Sequence, residues 1–256
     1  MQFSERVRAR VFGLLALTTA FLAGLGGQAV QAHQPGFTTT FHELERCDFK
    51  SVGSNTYFVL IPGYRQVLVD RAEDVRLTVT VLNETKRIRL GERSIEARIV
   101  EERETQDGVL FEVARNFFAI CDESNSAFYF GEEVDFYGPD GRTIIGHEGS
   151  WEAGKQGAMP GLQMPSTPLL GARYHQEVAP GVAQDRAEII SIGETVRTRA
   201  GTFRQVLRTE ETTPLEPGSA YKLYAPGIGL IQDGGLELQR CSGISRDPCT
   251  RSRGSD

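Results

Sequence analysis

The chain has 256 residues, 39% of them hydrophobic, and a formal net charge of −6. This acidic balance argues against non-specific nucleic-acid binding, which depends on neutralising phosphates. Its length permits one large β domain or two small ones, either with enough apolar side chains for a core.

Arg6, Arg8 and Arg10 precede an apolar run from Val11 to Leu25 and then Val30-Gln31-Ala32. A basic region, a hydrophobic region and a small-residue cleavage site occur in the order of an export leader, read here as residues 1–32. The apolar run falls short of the ~20 residues that a spanning helix needs. No cysteine lies between it and Cys47, which argues against a lipid-modified N-terminus. Cleavage after Ala32 leaves 25 basic and 33 acidic residues in a periplasmic or extracellular protein. No integral membrane segment is expected after leader removal.

Strand signals dominate from there. "VRLTVTVL" (75–82), "IEARIVEERE" (95–104), "VLFEVARNFFAICDE" (109–123), "AFYFGEEVDFY" (127–137) and "RTIIGHEGSWE" (142–152) are divided by turn residues such as Asp107-Gly108 and Ser124-Asn125-Ser126. This spacing predicts an antiparallel meander, and no window shows a helical period. Between 153 and 171, four glycines and three prolines predict a long irregular loop. Its Met159, Leu162, Met164, Leu169 and Leu170 make it too apolar for a solvated linker, so it is expected to pack over the sheet. A second β block spans about 172–241, and residues 246–256 read as a disordered tail. The expected fold is all-β: antiparallel meanders forming a curved sheet, sandwich or half-barrel with a long Gly/Pro-rich loop. It forms a single domain over 33–245, in which the loop joins sheet blocks at about 57–152 and 172–241.

Cys47, Cys121, Cys241 and Cys249 allow three pairings. Cys241 and Cys249 flank the short, turn-rich "SGISRDP", which favours that pair and, by elimination, Cys47–Cys121. No C-x-x-C spacing supports a metal site.

Strict alternation sorts residues by face. It places Phe128, Phe130 and Glu132 together, and it gathers carboxylates at one end of the strands. Asp122, Glu132 and Glu148 then meet near one rim, where His147 is a further candidate ligand or base. Such a rim suits a hard divalent cation such as calcium, or it is a solvated acidic edge that discourages sheet association. "DESNSAFYFGEE" fails as an EF-hand, because Ala127 stands where the loop requires glycine. His147 and His175 lack zinc-protease spacing. Phe128, Phe130, Trp151, Met159 and Met164 are the expected walls of an apolar pocket under the loop, with Glu152 also at its rim.

The segments "ERETQDGVLFEV", "FYFGEEVDFY", "HEGSWEAGKQGAMPGLQMPSTPLLGARYHQEVAPGVAQDRAEI", "AGTFRQVL" and "YAPGIGL" resemble a family of exported bacterial β-rich proteins of unassigned function. The closing "AGTFRQVL…YAPGIGL" portion is also similar to periplasmic curved-sheet proteins of the lipoprotein-carrier type, a likeness that implies apolar ligand binding. Two readings from different classes follow. One is a binding protein for an apolar small molecule or lipid in a loop-covered cleft. The other is a metal-assisted hydrolase in which His147 converges with at least two of Asp122, Glu132, Glu148 and Asp185. A structural envelope protein is the third possibility.

Overall fold

The computed structural model describes residues 36–246 and Cys249; the leader at 1–32 and most of the expected tail lie outside the described residues. One four-residue helix, α1 (Glu43–Arg46), precedes the strands β1 (Phe49–Lys50), β2 (Gly53–Ser54), β3 (Val59–Leu60) and β4 (Arg65–Asp70). Four long strands follow: β5 (Val75–Leu90), β6 (Arg93–Gln106), β7 (Val109–Cys121) and β8 (Ala127–Tyr137). Short pieces come next: β9 (Ile144–Gly146), β10 (Trp151–Glu152), β11 (Met159–Met164), β12 (Arg173–His175) and β13 (Glu177–Val178). The chain continues through β14 (Arg186–Thr198), β15 (Gly201–Thr212), β16 (Ala220–Ala225), β17 (Gly229–Asp233) and β18 (Leu236–Ser242).

Both predicted β blocks belong to one antiparallel sheet, in the order β12-β14-β15-β16-β17-β18-β4-β5-β6-β7-β8-β11-β13. The two ends of that path are consecutive pieces of a single segment, separated only by Gln176. Arg173–His175 pairs with β14 on one side, and Glu177–Val178 pairs with β11 on the other. The sheet therefore curls into a nearly closed barrel. The all-β expectation stands, and the half-barrel is the version nearest to the observed form. Hairpins follow local turn chemistry: Asp107, at φ 51°, and Gly108 make the two-residue connection between β6 and β7, as expected for an Asp-Gly pair.

The expectation of an irregular loop at 153–171 is corrected. Its centre is β11, which pairs with β8 at Gly161↔Tyr129 and Leu162↔Phe128. Gly and Pro, read along the chain, signal breaks; here the neighbouring backbones select them. A Cβ on Gly161 would lie 2.1 Å from the Gln176 carbonyl oxygen, so only glycine lets the two seam segments touch. Gly161→Val should open this seam and cost at least the ~1–3 kcal/mol typical of overpacking. Urea denaturation is the check, with Gly36→Ala as a near-neutral control because no atom lies within 4 Å of the added Cβ. Leu169 and Leu170, expected to pack, are instead exposed.

The outer face of β7 and β8 is covered by the N-terminal segment. Phe41 meets Phe128 edge-on, Phe49 meets both Phe128 and Phe130, and Cys47 is bonded to Cys121. The second disulfide joins Cys241 and Cys249, so both expected pairings are present. In the chain-entropy picture a crosslink spanning 74 residues contributes about 4 kcal/mol, and this one fixes the N-terminal cover on its sheet.

Candidate ligand site inside the barrel

The barrel holds a half-open cavity of about 1140 Å³, slightly above the roughly 300–1,000 Å³ usual for small-molecule pockets. One wall is apolar, built from Val75, Leu77, Ala114, Phe118, Tyr129, Val134 and Phe136. The rest is acidic. Glu102 and Glu104 project from β6, Glu112 from β7, Glu132 from β8, Glu211 from β15 and Asp233 from β17. Glu177 and Asp185 flank the turn after the seam, and Asp70, Glu73, Glu148 and Glu216 complete the lining. Among the described lining residues, Lys222 is the one lysine or arginine.

A β-bulge decides which aromatic residue joins these carboxylates. Asn116 pairs with Glu132 and Phe118 with Tyr129, so two residues of β8, Phe130 and Gly131, oppose one of β7. Gly131 sits at φ 133°, and a Cβ there would lie 2.4 Å from the Trp151 carbonyl oxygen. The extra residue reverses the alternation. Tyr129 and Glu132 face the cavity, whereas Phe128 and Phe130 face outward.

Hydrogen bonding centres on Glu211, which is 3% exposed. Its carboxylate accepts from Gln176 at 3.2 Å, Thr209 at 3.3 Å and Tyr224 at 3.4 Å. Lys222 Nζ reaches Glu211 at 2.9 Å and Asp233 at 3.7 Å. Burial opposes the lysine's charge, but Asp233 and Glu211 outweigh it and hold its pKa well above the usual value.

Several other carboxylates of the lining gain affinity for protons. Burial raises Glu132 to about 8; Glu112, Glu102 and Asp185 add repulsion, and the adjacent Tyr129 hydroxyl pulls the other way. Glu112 rises to about 7 through burial and the charge of Glu102. Asp185 rises to about 6, again mainly by burial, although Lys222 offsets part of it. Glu177 is raised well above the carboxylate range by burial, Asp185 and Glu132. These groups are electrostatically connected, and burial together with mutual repulsion keeps protons on Glu132 and Glu177 at neutral pH, while Asp185 is mostly ionised there.

The sequence-based site residues scatter. Glu132 and Glu148 line the cavity. Asp122 lies outside it, paired with Lys50 on the surface. His147 is a surface residue whose Nδ1 lies 2.9 Å from Asp135. Glu152 pairs with Lys155 at 2.8 Å. The expected rim of Asp122, Glu132, His147 and Glu148 therefore does not assemble, and of the hydrolase set only Glu132, Glu148 and Asp185 share the cavity. Residues 142–152, read as one strand, are split between β9 and β10 by a turn that carries both His147 and Glu148, and of the two only Glu148 reaches the cavity.

Phe128, Phe130, Trp151, Met159 and Met164 do not line the cavity. The first two pack under the N-terminal segment, Trp151 meets the Tyr129 ring at 5.3 Å, Met164 is fully buried and Met159 is exposed. No family model, curated protein or solved structure matches this chain. The cavity's own chemistry is thus the guide to function. Sequence reading missed Glu102, Glu104, Glu112, Glu177, Glu211, Lys222 and Asp233. The available signal was the recurrence of acidic residues at inward positions of "EARIVEERE", "VLFEV" and "RTEETT".

A single metal ion is a poor fit for this arrangement. Among the described residues, the one set of three ligand atoms within 4.8 Å belongs to Cys47, Cys121 and Glu123, and its cysteines are bonded to each other. The cavity carboxylates surround a volume and do not converge on a point, unlike the six to eight oxygens at roughly 2.3–2.6 Å that calcium takes.

Proposed function

We propose that this protein is an exported binding protein whose barrel holds a small, positively charged molecule. The observation that carries this reading is a half-open cavity inside the barrel, lined by many carboxylates and a single lysine. A purely apolar ligand or lipid would offer these polar carboxyl groups no hydrogen-bond partner and no compensating charge. A cation replaces the retained protons and makes use of the same ring.

Two further features support the setting. Both disulfides fit an oxidising compartment. The outward positions of β6–β8 are charged, with Glu101 and Arg115 3.7 Å apart and Arg115 and Asp135 3.0 Å apart. A barrel spanning a lipid bilayer would present an apolar belt there, so this wall suits water.

The test is a titration of the full chain with a cationic fluorophore and with an anionic one of similar size. The cation should bind saturably, release protons at neutral pH and weaken as salt rises. Equal binding of the two dyes, or none of the cation, contradicts the reading.

A further inference from the structure

We infer that the ligand is a linear aliphatic oligoamine carrying two or more ammonium groups. The inference rests on the cationic-ligand reading above and narrows it to a chemical class.

The first argument is the occupant already in place. Lys222 is a primary ammonium on an alkyl stem, and it sits between Glu211 and Asp233 against the wall. The barrel therefore already solvates an alkylammonium with its carboxylates. Glu132, Glu177 and Asp185 line the same cavity, and the Asp185 backbone N–H donates to the Glu177 carboxylate at 3.3 Å, so they form a second acidic group. No cation appears in the contacts of Glu132 or Glu177 within hydrogen-bonding range among the described residues, and a second ammonium fits there.

The second argument is a polar atom without a partner. Tyr174 is 2% exposed, and its hydroxyl makes no hydrogen bond. It pairs with Ala187, which pairs with Glu211, so it shares the inward face of Glu211 while lying behind the cavity lining, and Glu211 lies close enough to perturb it. An ammonium has three donors and no acceptor, so one that reaches Glu211 carries a donor to spare for a buried oxygen on the same face.

The third argument is spacing. The carboxylates are spread around a cavity of about 1140 Å³, and no three bring oxygens within 4.8 Å. Separate ammonium groups on a flexible methylene chain match that distribution, with the methylenes against Val75, Leu77, Ala114 and Phe118. A single divalent ion does not.

The experiment is isothermal titration of the full chain with spermidine, butylamine and calcium, together with displacement of the cationic fluorophore. Spermidine should bind at least tenfold more tightly than butylamine and displace the dye. Glu132→Gln and Glu177→Gln should each weaken spermidine at least tenfold, whereas Asp122→Asn should leave it unchanged. Glutamine keeps the size of each side chain and cannot ionise, so folding is expected to survive, and circular dichroism verifies this. Spermidine no tighter than butylamine, or calcium bound more tightly and competing with it, overturns the oligoamine assignment while leaving a cation site. Dye binding that spermidine does not displace has the same meaning. If neither dye nor amine binds, both the oligoamine and the cationic-ligand readings fall.

Discussion

The unfolding temperature should fall as pH rises from about 4.5 to about 8, the reverse of ordinary acid denaturation. Glu132, Glu112 and Asp185 are shifted upward in the folded protein, to about 8, about 7 and about 6. Glu102, Glu177 and Asp233 are also raised, in each case chiefly by burial. A carboxylate with a raised folded pKa holds its proton more tightly when folded than when unfolded. Its contribution is fully present below the unfolded value and is lost as pH climbs through the folded one.

A tenfold gain in proton affinity on folding corresponds to ~1.4 kcal/mol, so the combined loss should be on the order of a few kcal/mol. Three groups work the other way. Asp140 is held down to about 2 by hydrogen bonds from Thr143 and Arg142, and its contribution disappears only at far lower pH. Glu194 is lowered by Arg208 and Ser191 against a desolvation cost, and its contribution is lost as pH falls below the usual carboxylate range. His175 is lowered by burial and favours the folded state as pH rises toward its ordinary value. These single groups do not offset six carboxylates. Thermal unfolding at pH 5 and pH 8, at one ionic strength, is the measurement; a higher midpoint at pH 8 contradicts the account. Glu132→Gln should raise the midpoint at pH 8 and flatten the profile.

Lys222→Met should destabilise the protein by about 3 kcal/mol near pH 8, the lower end of the range for breaking a buried ion pair. The lower end applies because the lysine side chain is 30% exposed, although Glu211 is only 3% exposed. Removing the ammonium leaves Glu211 and Asp233 facing Glu102 and Asp185 with no positive charge between them. The penalty should shrink at pH 5, where Asp233, Glu102 and Asp185, all raised by burial, take up protons. Lys222→Met combined with Glu211→Gln should recover much of the loss, because the orphaned charge is removed with its partner. Chemical denaturation of the two single variants and the double variant at both pH values supplies the coupling. An equal penalty at pH 5 and pH 8 would show that Lys222 acts by packing alone.

Several parts of the fold were legible in the residues. The alternation in "VRLTVTVL" became β5, the Asp107-Gly108 turn became a hairpin, and both cysteine pairings were formed. Each depends on near neighbours in sequence or on a small set of combinations. The site was less legible. Counting by twos through "FYFGEE" put Phe128 and Phe130 on the face of Glu132, and one extra residue at the bulge reversed that assignment. Likewise, Gly161 and Pro160 announced a break, because nothing local reveals that the Gln176 backbone passes alongside them.

Residue order alone specifies an antiparallel β protein, its hairpins and its crosslinks, because side-chain alternation and turn preferences are local properties of the chain. It also specifies an excess of acid. Where that acid lies is a matter of tertiary closure. The seam formed by residues 173–178 places glutamates and aspartates from strands far apart in sequence around one volume. Each is unexceptional on its own strand. Gathered together and partly shielded from water, several of them hold protons more tightly than on an open strand, and the ring favours positive charge. That property arises from curvature and closure, which pairwise patterns along the chain do not encode.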